Sequence, residues 1–350
     1  MKNTVNISSS VLYNGDCLDF IATLPDNSVD LIVTDPPYFK VKPQGWDHQW
    51  SGDSDYLAWL DKCLAEFWRV LKPAGSIYLF CGHRLAADTE LLMRSRFNLL
   101  NHIIWAKPSG RWNGCNKESL RAYFPATERI LFAEHLQGPC KPKSTGYDKQ
   151  LAAMKQQVMS PLIEYFQQAR QSLGITAQQI AEATGKKSMA SHWFSNSQWQ
   201  LPSESDYAKL QALFAEVAEQ KNEDVKLPSS HSALSASYAE LSREYESLRQ
   251  EFQELRRFFS VTAFVPYTDV WTHKPVQYYP GKHPCEKPAE MLEQIILASS
   301  KPGEVVADFF MGSGSTIKQA LKHGRNAIGV EIEADRFNQT VSEIRAIYDE

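Results

Sequence analysis

The sequence predicts an α/β fold, a largely parallel sheet covered by helices on both faces and interrupted by an inserted helical domain. Three observations carry this expectation. Short apolar runs alternate with segments of helical periodicity at both ends of the chain. Two of those runs lead directly into loops rich in Pro or Gly. Roughly residues 137–260 instead turn polar and rich in Gln, Ser and Lys, and they read as all helical.

Residues 29–33 form an apolar stretch between polar neighbours, as a buried strand does, and residues 76–81, 103–106 and 130–133 read the same way. Between the first two, Tyr56, Leu57, Leu60, Leu64, Phe67 and Leu71 recur at helical spacing. Asp53 or Ser54 is the expected cap of that helix and Lys72-Pro73-Ala74-Gly75 its stop. The C-terminal part repeats the alternation: a helix over 286–300, a strand over 305–308, a helix after Ser315, a strand over 327–331 and a last helix after Asp335. The chain thus divides into an N-terminal part of the main domain (1–136), the helical insertion (137–260) and a C-terminal part (261–350).

Within the insertion, Thr176 can cap a short helix, Gly185 can turn the chain, and residues 187–194 can form a second helix. That is the layout of a helix-turn-helix, and equally of a helical hairpin with no role in DNA binding. Further on, Leu234, Tyr238, Leu241, Tyr245, Leu248, Phe252, Leu255 and Phe259 step by fours and threes, a heptad seam that must bury one face. Its partner is a helix of the same chain or a second subunit, which leaves a homodimer open.

The chain has 350 residues, 43% of them hydrophobic, and is long enough for one large domain with an insertion or for two domains. No apolar run approaches the ~20 residues of a membrane span, and the first ten residues do not read as a secretion signal, so a cytoplasmic protein is expected. Cys17, Cys63, Cys81, Cys115, Cys140 and Cys285 are scattered without zinc or redox spacing; neither disulfides nor a metal are expected. A formal net charge of -4 means that any polyanionic partner must meet a local basic face.

Two motifs carry chemistry. Asp35-Pro36-Pro37-Tyr38 follows the strand over 29–33, where ligands bind in open α/β sheets. An exocyclic amino group conjugated to its ring is a poor nucleophile because its lone pair is delocalised. Two acceptors on its hydrogens, the Asp35 carboxylate and the Pro36 carbonyl, would localise that pair. Pro36 and Pro37 stiffen the turn, and Tyr38 offers a face on which an extruded base can stack. A plain turn with a solvated carboxylate is the alternative.

The second motif runs Asp308-Phe309-Phe310-Met311-Gly312-Ser313-Gly314-Ser315-Thr316, between an apolar strand and a helix. Its glycines permit close approach of a ligand to the backbone, and Glu331, at the end of the next strand, stands where an acidic residue meets ribose hydroxyls in nucleotide folds. Tight strand-helix packing or a nicotinamide site are the competing readings. The run after Gly314 departs from the dinucleotide fingerprint, and neither competitor accounts for Asp35 to Tyr38.

Together these motifs resemble the amino-methyltransferases of DNA, in the order typical of their β class, catalytic motif first and cofactor loop late. Asn14-Gly15-Asp16-Cys17, Trp46-Asp47, Arg69 to Ser76, Trp105-Ala106-Lys107-Pro108 and His283-Pro284-Cys285-Glu286-Lys287-Pro288 support the likeness, which covers about two thirds of the chain. The chain also looks similar to prophage-encoded enterobacterial adenine methyltransferases. The resemblance implies a Rossmann-like fold with circularly permuted motif order and S-adenosyl-L-methionine as cofactor. Asp308, Phe310, Gly312 and Gly314 would surround its methionine part, Glu331 its ribose, and Asp16 and Cys17 its adenine; Ser313, Ser315 and Thr316 of the loop would also bind the cofactor, with Lys287 beside the pocket.

It further implies direct methyl transfer to a base flipped from double-stranded DNA, adenine N6 rather than cytosine N4 because Asp opens the tetrapeptide. Phosphate contacts are expected from Lys107, Arg111, Trp112, Asn113, Lys117 and Arg121, and from Lys186, Lys187, His192 and Trp193. Where relatives often carry His-Glu, this chain has Thr127-Glu128, and Glu128 reads as a helper that orients neighbouring groups. A DNA-binding regulator on an inactive scaffold is the rival from another class.

Overall fold

Period-two burial builds the sheet. In β3 (Val29–Thr34), Leu31 and Val33 face one core and Ile32 the other, while Val29, set off from Leu31 by an irregularity in the pairing with the next strand, joins the core of Ile32. In β4 (Leu71–Cys81), Ile77, Leu79 and Cys81 oppose Tyr78 and Phe80 in the same way. A computed structural model describes residues 3–40, 45–108, 118, 121–135, 147–196, 199–222, 234–255, 257–261 and 268–348. Contacts divide it into two units, 1–140 with 257–350, and 141–256.

The first unit holds a nine-stranded sheet among the described residues. The remaining strands are β1 (Thr4–Ile7), β2 (Ser10–Asn14), β5 (Asn98–Ala106), β6 (Thr127–Glu134), β7 (Val270–Thr272), β8 (Val305–Asp308) and β9 (Asn326–Glu331). Their order is β1-β2-β9-β8-β3-β4-β6-β5-β7. The run β2-β9-β8-β3-β4 is parallel throughout. One face is covered by α1 (Cys17–Ile21), α2 (Asp53–Val70) and α3 (Ala86–Arg94). The other carries α10 (Ala289–Ser299), α11 (Ser315–Lys322) and α12 (Ala334–Tyr348). Leaving β8 the chain goes to β9, and leaving β3 it goes to β4 on the other side, so the switch point lies between β8 and β3.

Three local expectations need correction. Helix α2 is capped by Gly52, because Asp55 turns back to accept from the Ser51 amide and hydroxyl at 3.1 and 3.3 Å and sets the start earlier. The strand expected from residue 76 already begins at Leu71, so residues 72–75, which follow the end of α2 at Val70 as expected, run inside β4, where Lys72 pairs with Asp30 at 2.7 Å. Phe259 does not extend the heptad seam. It lies beyond the helix, in the first unit, stacked on Phe132 at 5.5 Å between centroids.

The second unit consists of α4 (Tyr147–Val158), α5 (Ser160–Leu173), α6 (Ala177–Thr184), α7 (Ala190–Phe194), α8 (Glu204–Asn222) and α9 (Tyr238–Leu255). Thr176 and Gln179 form a reciprocal capping box at the start of α6, and Gly185 ends it in the left-handed conformation that glycine favours. The seam of α9 is used within this unit: Leu241 and its neighbours Tyr238, Tyr245 and Leu248 pack with Phe166, Tyr207 and Phe214. Among the described residues, no helix is long and apolar enough to cross a membrane. Cys17, Cys63 and Cys81 are free thiols; Cys115 and Cys140 lie outside the described residues.

Candidate active site

Four carboxylates stand in a row at the carboxyl ends of four adjacent parallel strands. Asp16 lies two residues beyond β2, Glu331 ends β9, Asp308 ends β8, and Asp35 follows β3. At ~4.8 Å between strands the row spans roughly 14 Å. A cavity of about 830 Å³ opens along it, bounded also by Tyr38, Glu128, Lys287 and Gly312, within the ~300–1,000 Å³ usual for small-molecule sites.

Residues 274 positions apart meet through one hydroxyl. Buried Thr34 donates to Asp308 Oδ1 at 3.0 Å and accepts from the Phe309 amide at 3.2 Å, which clamps the start of the Asp35 loop to the glycine loop. Asp308 Oδ1 also accepts from the Phe310 amide at 3.1 Å, and burial pushes its carboxyl up to about 6. Glu331 accepts from the amides of Gly312 at 3.0 Å and Glu333 at 2.8 Å; burial still pushes it up to about 7. Gly312 adopts φ +50°, and a Cβ on it would come within 2.9 Å of the His283 ring. Asp16 caps α1 by accepting from Leu18 at 2.8 Å, and Cys17 is buried beside it. Ser313 and Ser315 share a hydrogen bond of 2.9 Å, and Thr316 is buried at the start of α11.

These groups fit a cationic nucleoside better than a dinucleotide. Among the described residues neither Asp308 nor Glu331 forms a salt bridge, and both would repel a pyrophosphate while accepting from ammonium or hydroxyl groups.

On the Asp35 side the charges are paired. Lys287 Nζ bonds Asp35 Oδ2 and lies 3.5 Å from Glu128, while Lys107 bonds the other Glu128 oxygen. The Tyr38 hydroxyl donates to Glu128 at 3.1 Å. Burial alone would raise Glu128, but the ammonium groups of Lys287 and Lys107 outweigh it and hold the carboxyl at about 2. Burial works against a charged Lys287 too, yet Asp35 and Glu128 keep its ammonium above the ordinary lysine range. Asp35 is pushed up by burial and pulled back by Lys287.

Lys287, expected beside the cofactor pocket, lines the cavity with its ammonium against Asp35. Lys107 likewise points to Glu128 and not outward. Trp193, expected to meet DNA, is 1% exposed and forms the second unit's core with Phe166 and Phe214; its ring cannot stack on a base without unfolding that core. Lys186 is paired with Asp206 at 2.7 Å, Lys187 is exposed, and His192 is partly exposed in α7. Arg121 is exposed and donates to the Glu118 carbonyl at 3.2 Å. Arg111, Trp112, Asn113 and Lys117 lie outside the described residues.

Other contributors have weaker sequence signals. Trp59 lines the cavity with its ring 5.6 Å from Phe310, although it sits off the main apolar stripe of α2. Gly82 lies under Tyr38, whose ring a Cβ would approach to 3.2 Å. Phe39 and Lys40 both take φ near +60°, a strained conformation for such residues, held by burial of Phe39 against Tyr56.

The family model of the N6/N4 methyltransferases, described as DNA methylase, matches residues 29–342. The chain belongs to this DNA methylase family. As a member it is an S-adenosylmethionine-dependent DNA methyltransferase. It is 23% identical over 331 residues to the DNA adenine methyltransferase YhdJ of Escherichia coli (strain K12), which covers 93% of this chain and 80% of that protein. It is 23% identical over 367 residues to the Type II methyltransferase M.HinfI of Haemophilus influenzae, covering 99% and 71%. The PvuII cytosine-N4-specific DNA methyltransferase superposes with a TM-score of 0.51 at 14% identity, covering 98% of this chain and 93% of that one, a likeness of fold.

Proposed function

We propose that this methyltransferase methylates adenine N6 in double-stranded DNA, with Asp35 as the acceptor that activates the amino group. The observation that carries the reading is Asp35 itself: one oxygen is held by Lys287, and the other, Oδ1, is buried with no hydrogen-bond partner among the described residues. An unsatisfied buried carboxylate oxygen on a residue that lines the cavity calls for a donor, and an exocyclic amino group is one. The Pro36 carbonyl is the second acceptor; Pro37 stiffens the turn. Tyr38, fixed by Glu128 and backed by Gly82, offers the stacking face. The sequence resemblance favours adenine, as does the name of the relative YhdJ.

When bound, S-adenosylmethionine supplies an electrophilic methyl group on a sulfonium. Asp308 and the Phe310 to Thr316 loop would hold its methionine end, Glu331 its ribose and Asp16 with Cys17 its adenine, so that the acid row runs toward Asp35. Asp35 localises the lone pair of the target nitrogen and receives its hydrogen bond as positive charge develops there. For the second unit, with Lys187 exposed on the segment between α6 and α7, we propose contact with DNA phosphates.

The test is transfer of labelled methyl from S-adenosylmethionine to unmethylated duplex DNA, followed by nucleoside analysis. N6-methyladenine is expected; N4-methylcytosine would overturn the choice of base. Asp35→Ala should lower turnover by at least about 100-fold while sparing cofactor binding, and unchanged turnover would remove Asp35 from the mechanism.

A further inference from the structure

Among the described residues Lys287 is the most enclosed cation at the site, with its side chain 8% exposed. It follows the turn that opens with His283 and immediately precedes Pro288, the N-cap of α10. Besides the Asp35 oxygen, its Nζ faces the Tyr38 hydroxyl at 3.4 Å, the Cys285 carbonyl at 3.4 Å and Glu128 Oε2 at 3.5 Å. An ammonium has three hydrogens, and here acceptors from three separate segments surround it. A guanidinium fork would tend to occupy both oxygens of a carboxylate; the single point charge of a lysine takes one and leaves Oδ1 open.

We infer that Lys287 is a positioning residue for methyl transfer, gripping one oxygen of Asp35 so that the other is aimed at the target amino group as an ionised acceptor. The inference rests on the reading of Asp35 given above. Its physical basis is the cost of a buried carboxylate without a cation, which is relieved by taking up a proton. A protonated Asp35 would present a donor where the amino hydrogens need an acceptor. The groups that act on Asp35 are Lys287, Glu128 and Tyr38, with Cys81, Tyr56 and Asp308 nearby. Lys287 is the cation among them; Glu128 and Asp308 are of like charge and disfavour ionisation.

The opposite signs of Lys287 and Glu128 give the test. In Lys287→Met, the acid limb of the kcat profile should move up by at least about one pH unit, and kcat at neutral pH should fall at least about tenfold with S-adenosylmethionine affinity changed less than about threefold. In Glu128→Gln the acid limb should move down, since a carboxylate that disfavours charge on Asp35 is gone. An acid limb that stays in place in Lys287→Met, in a protein that still binds cofactor, would overturn the inference. So would equal losses of rate and cofactor affinity, which would make Lys287 part of the cofactor site. Wild-type protein that methylates no DNA would bring down the functional reading itself and this inference with it.

Discussion

Asp308→Asn should make the cofactor-free protein more stable at pH 8. Asp308 is 5% exposed, and burial raises its carboxyl from an ordinary 3.8 to about 6. A carboxyl raised in the fold holds its proton more tightly folded than unfolded. The stabilisation is therefore complete below about pH 4 and is lost as pH rises through about 6. The rise corresponds to about 3 kcal/mol at pH 8, an upper bound. Asparagine never ionises and keeps an Oδ1 that can accept from Thr34 and Phe310, so little hydrogen bonding is lost. The expected gain is about 1–3 kcal/mol at pH 8 and roughly half of that at pH 5. Urea unfolding of both proteins at the two pH values measures it, and the slope with denaturant should be shared. An equal gain at both pH values, or a loss at pH 8, would refute the argument that ionisation in a buried site is what destabilises it.

Three further outcomes are expected. Thr34→Val removes the hydroxyl that joins Asp308 to the Phe309 amide, and should cost about 1–3 kcal/mol of stability together with cofactor affinity, read by thermal unfolding and calorimetry. Gly314→Ala sets a Cβ 2.5 Å from Thr340 Cγ2 at φ +68°, and should destabilise by more than about 1 kcal/mol in denaturant titration. Trp193→Ala should cost about 3–5 kcal/mol through the cavity it leaves; if it instead weakened DNA binding with unchanged unfolding, the core assignment of that ring would fail.

Much of the site was legible because each motif directly follows an apolar strand. Val29 to Val33 and Val305 to Ala307 mark strands, and the loops after them hold Asp35 and Asp308. Adjacency of β3 and β8 was not legible, because nothing local to residue 34 reports a neighbour 274 residues away. The edge strands β1 and β7 were missed for a related reason: Thr4–Ile7 and Val270–Thr272 are short, and their register comes from pairing. Trp193 misled because an aromatic next to basic residues looks the same in sequence whether it faces solvent or a core. The strain at Phe39 and Lys40 had no sequence mark, since neither is the glycine that a left-handed backbone usually calls for.

The two halves of the cavity handle charge in opposite ways, and this asymmetry bears on how a transfer enzyme orders its ligands. Asp35 and Glu128 are neutralised from within by Lys287 and Lys107, so that half is set before anything binds. Asp308 and Glu331 hold their carboxyls near 6 and 7, at the edge of protonation, with backbone amides and hydroxyls as their donors. A cationic ligand that hydrogen-bonds those carboxylates relieves their burial and should bind more tightly as pH rises from 6 to 8, whereas its neutral demethylated product loses the sulfonium charge and part of that gain. The measurement is calorimetric titration of S-adenosylmethionine and S-adenosylhomocysteine across that range. A ratio of affinities that widens with pH in favour of the cation supports a site that uses buried acid to tell donor from product. A ratio that stays flat would mean that the carboxylates act only through hydrogen bonds to parts the two ligands share.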